Sequence, residues 1–299
     1  EDDQRDPARL AHHSIQADSP EMIVEYAPEA GHDAVARGAR REAVAFYEAA
    51  LEYSEELGPD KVAEIRLELA RQLRLLDDPD ESVRQAELAI TYIEGLDDPE
   101  RLATALGVLD AALWNQHRIE ESQEVARRAV AILRPLPPSP ALADALYRVA
   151  HMEMLARQGG PAMAYVEEAM TVAKQVEDTD SLWLAEMMAA CTQIVVGEAE
   201  EGARGLAACV ESAKAMGDPH FVSIGLLMLG SGGGEARLYD EAIPALLEGV
   251  EQGLATDQDY GVAYNRACRT STAFEQGRWD DAVQCAELVA KTTQKTQGV

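Results

Sequence analysis

Basic residues, aromatic residues and long apolar runs are all scarce in this chain of 299 residues. Lys and Arg number 26 against 54 Asp and Glu, which gives a formal charge of −28. Because phosphate contacts need clustered Lys and Arg, this balance disfavours direct binding of nucleic acid. No apolar run approaches the roughly 18 residues of a membrane span, and the N-terminus has no basic-then-apolar signal pattern. We therefore expect no membrane insertion and a cytoplasmic location.

Cysteine is also rare, and its four residues are Cys191, Cys209, Cys268 and Cys285. Their spacing includes no CxxC pair and none of the intervals that hold zinc, so we interpret them as free thiols in a reducing compartment. The histidines form no HExxH motif, and a GxSxG motif is missing. The sequence therefore predicts no metal site, no cofactor and no enzymatic activity in this chain.

One glycine cluster, Gly230 to Gly234, has to be weighed against a phosphate-binding loop. It follows a helical apolar run where such a loop follows a strand, and no Gly-Lys-Ser/Thr comes after it. Glu235 stands where the dinucleotide fingerprint has Gly, and its carboxylate would repel phosphate. The favoured interpretation is a loosened or kinked helix.

A small residue recurs with a constant period along the whole chain. The interval is 39 residues once and 40 thereafter, through Ala43, Ser82, Ser122, Ala162, Gly202, Ala242 and Ala282. A second column seven positions later holds Ala50, Ala89, Ala129, Ala169, Cys209, Gly249 and Val289. A third column twelve positions earlier holds Gly31, Ala70, Asp110, Ala150, Ala190, Gly230 and Thr270. Small side chains recur where two helices approach closely, so the columns predict repeated helix contacts.

Asp110 and Thr270 break the third column, and packing there should be looser or locally polar. Between the columns the apolar residues have helical spacing, and breakers such as Gly38 and Pro79 fall at two joints in each unit. Asp, Ser or Thr before many helix starts can cap exposed N–H groups. Each unit is therefore predicted to be a helical hairpin.

Two unit joins resemble tetratricopeptide repeats. Gly230 followed by Tyr239 to Ile243, and Gly277 followed by Arg278 to Val283, are similar to that family's pattern of a small residue and then aromatic, acidic and Ala residues. The usual unit has about 34 residues, so a period of 40 implies longer helices. The resemblance implies an all-α fold, a right-handed α-α superhelix of about seven tetratricopeptide-like hairpins.

We expect one helical-repeat domain over residues 1–299, with residues 1–20 as the remaining helix of a truncated unit. The seven units are expected near 21–58, 59–98, 99–138, 139–178, 179–218, 219–258 and 259–299. One hairpin cannot bury its apolar face alone, so stacked hairpins wind into a superhelix with a concave inner wall.

A narrower resemblance is carried by residues 9–13, 26–31, 41–47 and 229–242. These segments resemble the region that follows the ATPase module in large actinobacterial LuxR-family ATP-dependent transcriptional regulators. The resemblance implies an upstream nucleotide-binding domain and a downstream DNA-binding helix-turn-helix in the parent protein. The chain opens with Glu1 instead of Met, which predicts a piece of a longer protein. Neither domain lies in this chain, so no residue here is assigned to ATP hydrolysis or DNA binding.

The inner-wall positions of the tetratricopeptide pattern fall on basic, aromatic and sulfur-bearing residues and one amide. They are Arg71, Arg74, Trp114, Asn115, Tyr147, His151, Met154, Met187, Cys191, Tyr264 and Phe274. Aromatic groups offer large contact areas and Met adapts to varied shapes, so this wall is a candidate site for a protein, a peptide or a small-molecule effector. The alternative is that an aromatic or Met stripe at helical spacing is hairpin core.

These observations predict a non-catalytic binding domain, the sensory or regulatory part of a multidomain transcriptional regulator. A bound effector would bias the pitch of the repeats and so influence the neighbouring ATPase and DNA-binding domains. The alternative is a free-standing tetratricopeptide scaffold for protein assembly. A hydrolytic or transfer enzyme is a third class, and no motif in the sequence supports it.

Overall fold

The computed structural model of the protein describes the backbone of residues 6–296 and side chains as far as residue 291. Within that range the chain forms α-helices and no strands, so the all-α prediction is confirmed. The helices are α1 Pro7–Gln16, α2 Pro20–Ala36, α3 Arg40–Glu52, α4 Pro59–Leu75, α5 Pro79–Ile93, α6 Pro99–Asn115, α7 Ile119–Leu133, α8 Pro140–Leu155, α9 Gly159–Gln175, α10 Thr179–Val196, α11 Ala199–Met216, α12 Pro219–Glu235, α13 Tyr239–Ala255, α14 Asp259–Glu275 and α15 Trp279–Thr296.

The helices pack as hairpins of an even-numbered helix and the odd-numbered helix after it. This holds for α2 with α3, α4 with α5, α8 with α9, α10 with α11, α12 with α13 and α14 with α15. Even-numbered neighbours also pack on one another, as in α4 with α6 and α8 with α10. Helix α1 packs on α2 and occupies the position predicted for a residual helix, while residues 1–5 of that predicted segment lie outside the described residues.

Helix starts use the Asp and Pro residues that the sequence places there. The Asp98 carboxylate accepts a hydrogen bond from the backbone N–H of Arg101 at 3.0 Å, and Pro99 opens α6. The Asp218 carboxylate accepts from the backbone N–H of His220 at 2.7 Å. Such caps satisfy donors that a helix leaves unpaired, and Pro fits the first turn because its missing N–H is not needed there.

Each turn inside a hairpin contains one residue with left-handed backbone conformation. The seven residues, with φ between 59° and 99°, are Gly38, Asp77, His117, Arg157, Gly197, Arg237 and Gly277. They follow the same 40-residue interval as the small-residue columns. A left-handed residue just after a helix closes its last turn. The repeat period therefore appears in the backbone conformation as well as in the size of the side chains.

The first and third small-residue columns face each other inside the hairpins. The Ser82 hydroxyl donates to the Ala70 carbonyl at 2.7 Å, twelve positions earlier. A Cβ atom on Gly202 would lie 2.5 Å from the carbonyl oxygen of Ala190, again twelve positions earlier. The predicted close helix contacts are therefore confirmed at these positions.

The break in the third column at Asp110 is locally polar, as predicted. Asp110 is buried, and the Ser122 hydroxyl donates to its carboxylate at 2.7 Å. A carboxylate would be costly in this position without a hydrogen-bonded partner. The contact also joins α6 to α7.

The described chain divides into two compact units. Unit 1 comprises Glu1–Ser122 with Thr256–Gln258, and unit 2 comprises Gln123–Ala255 with Asp259–Val299. The short segment contacts α3, where the Arg41 guanidinium donates to the Asp257 carboxylate at 2.5 Å. In unit 1 the core of α1 to α4 contains Phe46, Tyr47, Ile65 and Leu69 among other buried residues. The single domain proposed from the sequence stays a prediction.

The core of unit 2 is built around α8 to α12. Trp183 and Phe221 stack with ring centroids 4.7 Å apart, and the Trp183 indole N–H donates to the Cys209 carbonyl at 3.1 Å. Stacked aromatic rings contribute beyond their buried area, and the hydrogen bond satisfies the buried indole donor. These two contacts join α10 to α12 and to α11.

Candidate ligand-binding surfaces

An open cleft of about 290 Å³ lies on α4 in unit 1. Its lining residues are Asp60, Glu64, Leu67, Glu68, Arg71 and Arg101. Five of them share one face of α4, because intervals of three and four residues bring side chains to the same side of a helix. Arg101 comes from the first turn of α6. The cleft is thus formed by two successive even-numbered helices.

Ion pairs hold the charged groups of this cleft in place. The Arg101 guanidinium donates to the Asp60 carboxylate, and also to the Asp60 backbone carbonyl at 3.0 Å. The Arg71 guanidinium donates to Glu68, and Lys61 donates to Glu64 at 2.8 Å. Each pair uses one oxygen of its carboxylate, so the second oxygen of each acid can still accept a hydrogen bond.

Tyr47 of α3 lies next to the charged groups of the cleft. Its side chain is 0% exposed, and its hydroxyl has no hydrogen-bond partner among the described residues. Burial raises the pKa of Tyr47 above its usual range, the nearby carboxylates of Glu68 and Glu64 raise it further, and Arg71 opposes them. A buried hydroxyl without a partner is uncommon, because losing its hydrogen bond to water costs free energy.

Of the four predicted wall residues in unit 1, one lines the cleft and three lie elsewhere on α4 and α6. Arg71 lines the cleft. Arg74 and Asn115 are brought together, since the Asn115 side-chain amide donates to the Arg74 backbone carbonyl at 3.4 Å. Trp114 is half-buried at the end of α6.

In unit 2 the open face of α8 carries a polar and aromatic group of side chains. Tyr147 and His151 stack with ring centroids 6.4 Å apart and an interplanar angle of 6°. Beside them, the Arg148 guanidinium donates to Asp144 at 2.8 Å. Desolvation and the Arg148 cation lower the pKa of His151 to about 4, so this imidazole is neutral near pH 7. His151 is therefore a neutral imidazole at pH 7 that stacks on Tyr147.

Three of the predicted wall residues are buried in the core of unit 2. Met187 is 0% exposed, and Met154 and Cys191 are also buried. All three belong to one apolar cluster with Trp183 and Leu206. Burial raises the pKa of the Cys191 thiol to about 12, with Cys209 adding to the effect. For these three residues the alternative interpretation, that the stripe of aromatic and Met residues is hairpin core, agrees with their burial. A buried side chain presents no surface to a ligand.

The last two predicted wall residues, Tyr264 and Phe274, lie on the surface of α14. Tyr264 is 39% exposed, yet desolvation of its phenol raises its pKa to about 12. Phe274 is 60% exposed, and its ring centroid is 5.6 Å from that of Trp279. These side chains offer aromatic surface, and their role in binding stays a prediction.

The glycine cluster is helical throughout, inside α12. A Cβ atom on Gly230 would lie 2.5 Å from Leu246, and one on Gly233 would lie 3.2 Å from Ala242. The glycines therefore allow α13 to approach α12, which is a packing role. Among the described residues, no group of three or more His, Cys, Asp or Glu is placed to hold a metal ion. None of the described helices is both long enough and apolar enough to span a membrane.

Sequence reasoning missed the acidic side of the α4 cleft and the tyrosine beside it. Nothing local in the sequence distinguishes Asp60, Glu64 and Glu68 from the many other acidic residues of the chain. Their spacing of four residues, in step with Arg71, was the signal that places them on the same face. Tyr47 carried no such signal, because a tyrosine at a helical apolar position does not reveal whether its hydroxyl has a partner.

The chain was compared with known proteins by sequence and by structure. No protein-family model matches the chain, and no curated protein matches it. Similar solved structures include a Rap protein complexed with Competence and Sporulation Factor, with a TM-score of 0.75 at 13% identity over 92% of this chain and 76% of that one. They also include the Rap conjugation gene regulator of plasmid pLS20 in complex with the Phr* peptide, with a TM-score of 0.75 at 13% identity over 95% of this chain and 77% of that one.

A third similar structure belongs to a multidomain protein. It is a signal transduction ATPase with numerous domains from Pyrococcus horikoshii, which has a tetratricopeptide repeat sensor. The TM-score is 0.51 at 14% identity, and the match covers 95% of this chain and 46% of that protein. At such identities the likeness shows the fold alone. The protein therefore has a tetratricopeptide-like helical repeat fold, and the predicted fold class is confirmed.

Proposed function

We propose that this chain is a non-catalytic binding domain that takes a peptide or a protein segment on its even-numbered helices. The observation that carries the proposal is the shared fold with a Rap regulator in complex with a peptide, at a TM-score of 0.75. Helix faces with half-buried polar and aromatic side chains, such as that of α8, suit such a ligand because they offer both contact area and hydrogen bonds. A small-molecule effector is the other ligand class considered for the same faces.

We further propose that the domain is the sensory part of a multidomain transcriptional regulator of the LuxR family in the cytoplasm. Support comes from the short segments at residues 26–31 and 41–47 that resemble those regulators. The tetratricopeptide repeat sensor of the Pyrococcus ATPase is a precedent for this fold beside an ATPase. Binding would act on neighbouring domains only if the ligand prefers one arrangement of the repeats over another.

The binding proposal is tested with fluorescein-labelled hexapeptide pools of random sequence. Fluorescence anisotropy of each pool is measured against increasing concentrations of the purified chain. We expect at least one pool to bind saturably and to be displaced by the same unlabelled peptides. If no pool and no protein retained from a lysate binds saturably, the proposal of a binding domain fails.

The regulator proposal is tested by the reading frame that contains this chain. We expect it to encode a nucleotide-binding domain upstream and a helix-turn-helix downstream. A frame that encodes only helical repeats would contradict the regulator proposal. It would favour the alternative, a free-standing scaffold, and stable protein partners in a pull-down would then be the matching result.

A further inference from the structure

The last described hairpin, α14 with α15, carries adjoining aromatic and apolar side chains on its surface. Trp279 is 66% exposed and Val283 is 59% exposed, and Ala286 on the next turn of α15 is exposed as well. The exposed ring of Phe274 on α14 contacts the indole of Trp279. These four residues are called the terminal face below. Single exposed apolar residues are normal, whereas adjoining ones mark an interaction site.

The repeat register shows that the same four positions are covered in the earlier units. None of the equivalent residues of the six earlier units, all of them within the described range, is exposed. At the position of Ala286 all six are buried, and they are Tyr47, Ala86, Ala126, Val166, Leu206 and Leu246. The terminal face therefore occupies the place of an interface between successive hairpins.

In the earlier units the covering element is the next even-numbered helix. Helix α3 packs on α4, α11 on α12 and α13 on α14. Arg40 of α3 has the position of Trp279, and its guanidinium donates to the Gln72 side chain of α4 at 2.6 Å. An equivalent cover over α15 would therefore be an amphipathic helix, with its small and apolar residues spaced by three and four.

The position of Phe274 also faces the next even-numbered helix in an earlier unit. Its equivalent on α10 is Ile194, which contacts α12. A Cβ atom on Gly232 of α12 would lie 3.0 Å from the Ile194 Cδ1 atom. A single even-numbered helix thus contacts both the α14 and the α15 positions of the terminal face in the equivalent interfaces.

The first hairpin shows how one extra helix covers a terminal unit. Helix α1 packs on α2, and Ala11 of α1 is fully buried in one apolar cluster with Ile23 and Ala27 of α2. Terminal repeats need a polar outer face to stay soluble. Helix α15 instead presents Trp279 and Val283 outward, so its face has the character of an internal interface.

Two observations favour a helix of the same polypeptide over a second copy of the chain. Helices α2, α4, α6, α10, α12 and α14 each pack on the odd-numbered helix before them, so this side of each is occupied. The formal charge of −28 also opposes self-association. In the earlier units the covering helix follows after a short loop, from two residues between α11 and α12 to six between α3 and α4.

We propose that the terminal face docks one further amphipathic helix of the same polypeptide, outside residues 1–299. This helix takes the place that an even-numbered helix holds in each earlier unit. It buries Trp279 and Val283, and it contacts Phe274 as α12 contacts Ile194. The proposal concerns the end of the repeat, so it does not depend on which ligand the domain binds.

Cysteine labelling compares this chain with the full-length protein. Val283→Cys places a thiol on the terminal face, and the matched control Leu254→Cys places one on α13, where the native side chain is 58% exposed. Iodoacetamide modification at each position is followed by mass spectrometry. We expect labelling at position 283 to be about tenfold slower in the full-length protein, because the covering helix must first open. The control should react at the same rate in both proteins. Equal rates at position 283 would overturn the proposal.

A fusion tests whether the terminal face accepts a helix of the even-numbered kind. A second copy of Asp259–Glu275, the helix that covers α13, is appended after Val299. The control fusion carries the same residues in scrambled order. In a Trp114→Phe background the exposed indole is that of Trp279, because Trp183 is buried. Acrylamide quenching of its fluorescence should fall severalfold in the fusion and stay unchanged in the control. Equal quenching in the two fusions would contradict the proposal.

Sedimentation equilibrium distinguishes this cover from self-association. We expect the full-length protein to show no association through the terminal face, so Val283→Glu should leave its sedimentation unchanged. A concentration-dependent dimer that Val283→Glu dissociates would assign the terminal face to a second copy and overturn the proposal. Far-UV circular dichroism verifies that each variant is folded.

Discussion

The contact between α10 and α11 at Gly202 gives the sharpest prediction about the repeat. A Cβ atom at this position would lie 2.5 Å from the Ala190 carbonyl oxygen, 2.6 Å from Ile194 Cγ1 and 3.0 Å from the Ile194 backbone nitrogen. Two of these three atoms belong to the backbone of α10. They cannot move away by a side-chain rotation, so Gly202→Ala must push the two helices apart.

The size of the effect follows from two opposing contributions. Alanine is favoured over glycine inside a helix by about 1 kcal/mol. Inserting a methyl group into a close-packed contact costs about 1–3 kcal/mol, and more when the neighbours cannot yield. Because the neighbours here are backbone atoms, we expect the packing cost to exceed the propensity gain. Gly202→Ala should lower the free energy of unfolding by about 2 kcal/mol.

The assay is urea denaturation followed by far-UV circular dichroism, with Gly160→Ala as the matched control. Gly160 lies in the first turn of α9, and no atom lies within 4 Å of a Cβ built there. Alanine in a helical backbone before Pro161 is disfavoured, which offsets its gain over glycine, so the control should stay within about 1 kcal/mol of the wild-type chain. A Gly202→Ala chain as stable as the control would refute the argument that small residues set the helix spacing.

Four further expectations concern single residues. Ser122→Ala should destabilise the fold by about 1–3 kcal/mol in urea denaturation, because it removes a hydrogen bond to the buried Asp110 carboxylate. His117→Gly should stabilise it by roughly 0.5–1 kcal/mol, since φ is 59° there. The folded-state pKa of His151 is lowered to about 4, so its stabilising effect is present above pH 6.5 and is lost as the pH falls toward 4. His151→Gln should flatten that part of the pH–stability curve, and an unchanged curve would contradict the lowered pKa. Cys191, with its pKa raised to about 12, should resist iodoacetamide until urea unfolds the chain.

The fold could be predicted from the sequence because one signal repeats seven times. Ser82 contacts Ala70, and Gly202 contacts Ala190, at equivalent positions of two different helical hairpins. A single pair of small residues would have carried little weight. A period of 40 maintained by three columns allows few other arrangements, since only recurring helix contacts require recurring small residues.

The binding surface was less predictable because burial depends on which side of each helix meets its neighbours. Tyr264 and Met187 were assigned by the same register, yet one is exposed and the other is in the core. The repeat register fixes the direction of a side chain around the helix axis only to within about a quarter turn. It therefore does not distinguish a residue on the open face of a helix from one at the edge of that face. Apolar residues are especially ambiguous, because core and binding surface both favour them.

Charged residues were underestimated for the opposite reason. Acidic side chains occur throughout this chain, and nothing in the neighbouring sequence distinguishes Glu64 from the others. Its significance comes from neighbours on another helix, Arg101 on α6 and Tyr47 on α3, whose proximity only the fold reveals. Long-range juxtapositions of this kind have no local signature in a single sequence.

The most direct test of the account is a crystal structure of the chain with the tightest-binding hexapeptide. We expect the peptide to lie on the even-numbered helices. A peptide bound to the outer faces of the odd-numbered helices would contradict the proposed function.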